Sequence, residues 1–85
     1  MAVVVLPSLL ATEAGGKSRF ESRGPTLREA LRELPVADLV LDAKGELRPL
    51  VNVYVDGVDA RERGGLDLPL EGADTVRLVA AVAGG

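Results

Sequence analysis

The residues of this chain best suited to chemistry are its last two, Gly84 and Gly85. Glycine has no Cβ, so the walls of another protein can approach this backbone closely. The terminal carboxylate is unhindered and could attack the α-phosphate of a nucleotide to become an acyl adenylate. We expect the tail from Val82 onward to project as a flexible arm, because nothing remains for it to pair with. Fully extended, it would reach roughly 13 Å, enough to enter the active-site channel of a partner.

The side chains that are missing exclude most enzymatic chemistry within the chain itself. The sequence contains no Cys and no His. It therefore has no thiolate nucleophile, no imidazole base and neither of the side chains most used to bind transition metals. We expect a protein that is not an enzyme, with no metal site and no cofactor of its own.

Length and composition narrow the class of protein further. The chain has 85 residues, 47% of them hydrophobic and 27% charged, which is typical of one compact domain. Its net charge of −3 and its aromatic content of 2% disfavour binding to nucleic acid. Apolar runs are too short to cross a membrane, and the N-terminus lacks the pattern of a signal peptide. The sequence therefore predicts a cytoplasmic protein that binds neither nucleic acid nor membrane.

Hydrophobic periodicity predicts an α+β roll, in which one main helix at about residues 26–34 covers one face of a sheet of four to five strands. The predicted strands are residues 3–6, 17–23, 50–55, a short strand at 66–70, and 75–80. The Gly15-Gly16 pair predicts a turn that joins the first two strands as a hairpin. Phe20 is the expected core contact of the second strand.

The predicted helix has a clear start and stop. Thr26 and Glu29 form a capping-box pattern, in which the Thr26 hydroxyl accepts from the Glu29 amide and the Glu29 carboxylate reaches back to the Thr26 amide. Pro35 ends the helix. One apolar stripe should face the sheet, and it consists of Leu27, Ala30, Leu31 and Leu34. The charged residues on the opposite side are interpreted as a solvated face.

Two segments are less regular. We expect an irregular connection at residues 36–47, which would place Leu39 and Leu41 under the sheet. A turn is predicted within it, at residues 42–45. Asp56-Gly57 is a tight-turn pattern after the clearest strand. Asp56 and Asp59 are not expected to form a paired-carboxylate hydrolase site, because such residues at a strand end are far more often turn formers.

Several motifs in the second half of the chain resemble one known family. They are residues 51–61, Gly64-Gly65-Leu66 with Pro69-Leu70, Asp74, Val76 and the terminal residues 81–85. Together they resemble the MoaD/ThiS-type sulfur-carrier proteins, most closely the actinobacterial carriers used in cysteine biosynthesis. Two departures concern neighbouring positions: Ala80-Ala81 stands where the family usually has proline, and Gly72-Ala73-Asp74 stands where it usually has Asp-Gly-Asp.

The resemblance implies a ubiquitin-like β-grasp fold over residues 1–81, followed by a carrier tail at residues 82–85. A ubiquitin-activating-type adenylyltransferase and sulfurtransferase would spend ATP to adenylate Gly85 and convert it to a thiocarboxylate. Gly84 would give the narrow approach, and Val82 and Ala83 would lie in the partner's channel. A sulfur-accepting biosynthetic enzyme would then receive sulfide for cysteine, thiamin, molybdopterin or a specialised metabolite.

Two other functions fit the same sequence. The activated glycine of a protein modifier would form an isopeptide bond to lysine on a target, whereas a β-grasp interaction domain would not use its terminal glycines at all. For either kind of carrier, the activating enzyme should contact apolar surface beside the base of the tail. Tyr54, Leu68 and Val79 are the candidates for that surface if they are exposed.

Overall fold

The computed structural model describes residues 2–70 and 74–80. Their secondary structure consists of five β-strands, three short α-helices and two 3-10 helices. In chain order these are β1 Ala2–Val5, α1 Ser8–Glu13, β2 Arg19–Ser22, α2 Leu27–Arg32, α3 Ala37–Val40, β3 Val51–Val55, β4 Val58–Asp59, 3-10 helices at Ala60–Arg63 and Gly65–Asp67, and β5 Thr75–Ala80. Gly72 and Ala73, part of one departure from the family pattern, lie outside the described residues.

The five strands form one mixed sheet in the order β2-β1-β5-β3-β4. β1 pairs with β2 and β3 pairs with β4 in antiparallel fashion, whereas β1 and β5 run parallel. β5 also pairs with β3, antiparallel, over five residues from Val51↔Ala80 to Val55↔Val76. Alternation puts one face of each strand into the core, because successive side chains point to opposite faces. The predicted mixed sheet of four to five strands is confirmed.

The connection between β1 and β2 contains a helix that the sequence analysis missed. The two strands do pair, with Val4 opposite Phe20, but α1 lies between them. Gly15 and Gly16 end this helix, at φ angles of +77° and +92°. The Gly16 amide donates to the carbonyl of Ala11 at 2.8 Å. The glycine pair is therefore a helix C-terminus, where left-handed residues are common, and not a hairpin turn.

The helix predicted at residues 26–34 is α2, and its N-terminal cap is confirmed. The Thr26 hydroxyl accepts from the Glu29 amide at 3.3 Å. The Glu29 carboxylate lies 3.8 Å from the Arg32 guanidinium, one turn along the helix. Gly24 must be glycine because a Cβ there would lie 2.8 Å from the Ala30 amide nitrogen. The chain thus passes close against the start of α2.

Arg28 of α2 is not simply solvated, as the charge pattern suggested. Its Nε donates to the Gly45 carbonyl at 3.3 Å, and its guanidinium pairs with Glu46 and with Asp67. These partners raise the pKa of Arg28, chiefly through the hydrogen bond to Asp67. Arg28 therefore ties α2 to two separate loops.

The connection after α2 forms a third helix, α3, and buries different side chains from those predicted. Leu41 is buried as expected, and it bridges to Leu47. Leu39 is 41% exposed, so its prediction as a core residue is wrong. Helical spacing explains this outcome, because it points Val36 and Val40 inward and leaves Leu39 on the outer side.

The predicted short strand at residues 66–70 is also absent. Its first part is a 3-10 helix, and Thr26 and Pro69 form an isolated bridge. The Leu27 amide donates to the Leu68 carbonyl at 2.9 Å. This segment therefore packs along the start of α2, and the fifth strand is the two-residue β4 instead.

The core on the helix side of the sheet suggests a matched pair of substitutions. Leu31 is completely buried, so Leu31→Ala should lower the free energy of unfolding by about 2–5 kcal/mol through lost burial and a cavity. Leu39→Ala removes the same atoms from an exposed site and should cost less than about 1 kcal/mol. Urea unfolding measures both. Equal losses would contradict the burial described here.

Candidate functional site

The end of β5 is the described part of the molecule that directly precedes the C-terminal tail in the chain. We call Val79 and Ala80 the tail root. The tail root is held by β3 through Asn52↔Val79 and Val51↔Ala80, and β1 holds the other edge of β5 upstream, as far as Val5↔Arg77. The predicted working residues Val82, Ala83, Gly84 and Gly85 lie outside the described residues. The structure therefore defines the base of the tail and the surfaces around it.

The first of these surfaces is the side of the sheet opposite the helices, which we call the open face. Val79 is 41% exposed on it, whereas Val58, equally exposed at the far edge of the sheet, pairs with the core residue Val55 and so lies on the other face. The register places one row of side chains across the open face in the order Arg19, Val5, Arg77, Tyr54 and Asp59. Apolar and basic side chains are therefore interleaved next to the tail root.

A hydrogen-bond network fixes one corner of the open face. The Arg61 guanidinium donates to both carboxylate oxygens of Asp59, at 3.1 and 2.8 Å, and to Asn52 Oδ1 at 3.1 Å. Asp59 also accepts from the Arg61 amide at 2.9 Å. These hydrogen bonds from Arg61 hold the pKa of Asp59 below its ordinary value, and the Asp59 carboxylate raises the pKa of Arg61. Arg61 is thus held by Asp59 and Asn52, and the basic groups in the row across the open face are Arg19 and Arg77.

The second surface is a groove on the helix side of the tail root, which we call the apolar groove. Its volume is about 610 Å³. Ala80 and its cross-strand partner Val51 form part of its lining. The exposed apolar side chains that complete it come from α1, α3 and the segment before β3, and they are Leu9, Leu39, Pro49 and Leu50. Glu13 and Arg48 also line the groove.

The opposite end of β5 is tied down by Asp56. Asp56 and Gly57 form the predicted tight turn, with φ angles of +50° and +86°. The Asp56 carboxylate accepts from the Thr75 amide at 2.9 Å, and the Asp56 amide donates to the Thr75 carbonyl at 2.9 Å. The hydrogen bond from Thr75 is the main reason that the pKa of Asp56 lies below its ordinary value. Asp56 and Asp59 thus have structural partners of their own.

The three residues named from sequence as partner surface have different positions. Val79 is exposed and Tyr54 is half-buried, and both lie on the open face. Leu68 is buried at 7% exposure, because its segment packs against α2, so it offers no surface to a partner. Sequence analysis missed Leu9 and Leu50. The apolar Leu9-Leu10 pair, with a glycine stop six residues later, was the available indication of an amphipathic helix there.

No helix within residues 2–70 and 74–80 is long and apolar enough to cross a membrane. Over the same residues, no group of three or more acidic side chains is placed to hold a metal ion.

Comparison with known proteins gives a matching family and a sequence relative that agree with each other. The chain matches the ThiS family over residues 4–85. It is 32% identical to the sulfur carrier protein CysO of Mycobacterium tuberculosis over 89 aligned positions, which cover 96% of each chain. The residues that carry the match include the tail.

Solved structures share the fold. CysO in the BexX/CysO complex of Amycolatopsis orientalis superposes with a TM-score of 0.86 at 31% identity, over 100% of both chains. Small archaeal modifier protein 1 (SAMP1) of Haloferax volcanii gives a TM-score of 0.73 at 27% identity, over 99% of this chain and 98% of that one. The predicted ubiquitin-like β-grasp fold is confirmed, although three short α-helices are described where one main helix was expected.

The Asp56 carboxylate should make stability depend on pH. Because its pKa is lowered by folding, its stabilising contribution is present above the unfolded pKa of about 3.9 and is lost as the pH falls through the folded value. Asp56→Asn keeps an acceptor oxygen and tolerates the positive φ, but it cannot titrate. We expect its urea midpoint to fall less than that of the wild type between about pH 6 and about pH 2.

Asp38→Asn, at an exposed position on α3, is the matched control. Its pH dependence should follow the wild type. If Asp56→Asn also followed the wild type over this range, the hydrogen bond to Thr75 would not contribute as described.

Proposed function

We propose that this chain, which belongs to the ThiS family, is a sulfur carrier that works through the carboxylate of Gly85. One Gly85 oxygen would attack the α-phosphorus of ATP, with pyrophosphate leaving, to give an acyl adenylate. Sulfide from a donor would then attack the acyl carbon, with AMP leaving, to give a thiocarboxylate. The observation that carries this proposal is the match to a named sulfur carrier over 96% of both chains, together with the terminal Gly84-Gly85.

The placement of β5 supports a carrier of this kind. A tail that enters a partner's channel needs a fixed base, and β5 is paired with β1 over residues 75–77 and with β3 over residues 76–80. Its inward side chains Val76 and Leu78 are buried in the core, at 0% and 2% exposure. The base of the tail is therefore set by the most strongly held strand of the sheet.

The enzyme that adenylates Gly85 is proposed to contact the open face at the tail root. Val79 supplies exposed apolar area there, and Tyr54 is its diagonal neighbour across the β3–β5 pair. Arg77 lies directly opposite Tyr54, and Arg19 adds positive charge to the same row two strands away, on β2. Acidic groups on the activating enzyme would complement this charge and speed association at low ionic strength.

The remaining chemistry is assigned to partner proteins. ATP would be bound and consumed by the ubiquitin-activating-type adenylyltransferase and sulfurtransferase, so the carrier would need no cofactor of its own and would not be a catalyst. A biosynthetic enzyme would accept the sulfur for cysteine, thiamin, molybdopterin or a specialised metabolite. We place this exchange in the cytoplasm.

A protein modifier is the second candidate, and one comparison favours it. The 27% identical structure from Haloferax volcanii is that of a small archaeal modifier protein. In that case a target lysine amine would attack the Gly85 acyl adenylate, with AMP leaving, to form an isopeptide bond. Denaturing gels of tagged protein distinguish the two functions, because only a modifier produces a ladder of larger conjugates.

The role of Gly85 can be tested directly. The carrier is incubated with the ubiquitin-activating-type enzyme of the same genome, ATP and sulfide, and its intact mass is measured. The wild type should gain the difference in mass between sulfur and oxygen at its C-terminus. Gly85→Leu should show no gain, because a branched side chain blocks the approach to the carboxylate.

The thermal unfolding midpoint of Gly85→Leu should equal that of the wild type, since the substitution lies beyond β5. A wild-type chain that stayed unmodified with an enzyme known to be active on other carriers would contradict the proposal, as would normal loading of Gly85→Leu.

The open face provides a second test. Val79→Asp places a charge in the proposed contact and should raise the KM for the carrier in the loading reaction about tenfold, equivalent to about 1.4 kcal/mol. Val58→Asp is the matched control, because Val58 has the same 41% exposure but lies at the distant edge strand β4. Equal KM values for the two variants would exclude Val79 from the contact.

A further inference from the structure

We infer that the apolar groove is a second docking surface, which takes an apolar segment of the enzyme that accepts the sulfur. This inference rests on the proposed function. A carrier presents one tail to two enzymes in turn, one that loads it and one that unloads it. The tail root has a distinct surface on each side of the sheet, and the open face is already assigned to the loading enzyme.

Exposed apolar side chains are concentrated in the groove. Of the five large hydrophobic residues that are exposed in the described part of the chain, three line it, namely Leu9, Leu39 and Leu50, at 60%, 41% and 50% exposure. They come from three separate segments of the chain and meet at one place. Clustered exposed apolar area of this kind is typical of a surface that a partner covers.

The groove reaches the end of β5. Ala80, the last described residue of β5, forms part of its lining, and so does Val51 opposite it. Any enzyme that draws the tail into an active site must bring the mouth of its channel against the surface around Ala80. A segment at that mouth would therefore be in position to enter the groove.

The chemistry of the groove differs from that of the open face, which argues for a different partner. The open face carries Arg19 and Arg77 among its apolar residues, whereas the groove is mainly apolar with one charge of each sign. The position of Arg48 is fixed by its Nε, which donates to the Asp38 carbonyl at 2.8 Å. The fitting segment has apolar side chains at its centre, an acidic group facing Arg48 and a basic group facing Glu13.

The experiment separates loading from delivery. Carriers are first converted to the thiocarboxylate and purified. They are then offered to the cysteine-, thiazole- and molybdopterin-forming enzymes of the same genome, and the enzyme that takes sulfur from the wild type becomes the probe. For the double variant Leu9→Gln/Leu50→Gln, kcat/KM for delivery should fall about tenfold or more, while kcat/KM for loading stays within about twofold.

The single variant Leu39→Gln changes the part of the groove that α3 forms. It should also lower kcat/KM for delivery. Val58→Gln, an equally exposed residue outside the groove, should change neither step. Melting curves confirm that each variant is folded before it is assayed. The inference is supported if both groove variants lower kcat/KM for delivery and the control variant does not.

Other outcomes overturn the inference. Unchanged delivery would show that the groove is not a docking surface for this enzyme. An equal fall in loading and delivery would assign the groove to the activating enzyme, and a change only in self-association would assign it to a second copy of the chain. If the wild type loads but no enzyme accepts its sulfur, both delivery and docking fail, whereas a wild type that never loads contradicts the proposed function itself.

Discussion

The pairing of β5 between β1 and β3 is the constraint on which the rest of this structure depends. Its parallel pairing with β1 and antiparallel pairing with β3 put the last described strand inside the sheet, away from either edge. Val76 and Leu78 then anchor it in the core. Since both ladders must break before β5 can shift, the strand that precedes the tail in the chain is fixed in position.

Both flanking surfaces follow from this placement. Alternation along β5 gives Val79 to the open face and Ala80 to the helix side. The open face combines apolar and basic side chains from four strands. On the other side, the start of β3 and the helices α1 and α3 meet at the end of β5 and enclose the apolar groove. One strand end thus carries two surfaces of different chemistry, which suits a carrier that serves more than one enzyme.

The differences between the predicted and observed elements have physical causes. α1 was missed because six residues give little helical periodicity, and its glycine stop also matches a hairpin turn. Leu68 was predicted to lie in a short strand at residues 66–70 and was a candidate for partner surface. It is buried because the segment pairs with the start of α2, a contact between residues some 40 positions apart that no local pattern contains. Leu39 was placed in the core because its neighbours are apolar, but α3 turns it outward.

The sequence by itself determined the chemistry that is available and the inward face of each long strand. The terminal Gly84-Gly85, the missing Cys and His, the alternation in β3 and β5 and the Thr26 cap are all local features of the chain. Only the tertiary structure decided that β5 is an inner strand, that Leu68 is buried and that Leu9, Leu39 and Leu50 meet beside Ala80. Those outcomes depend on pairing and packing between segments far apart in the chain, and local side-chain patterns do not specify which distant segments will pair.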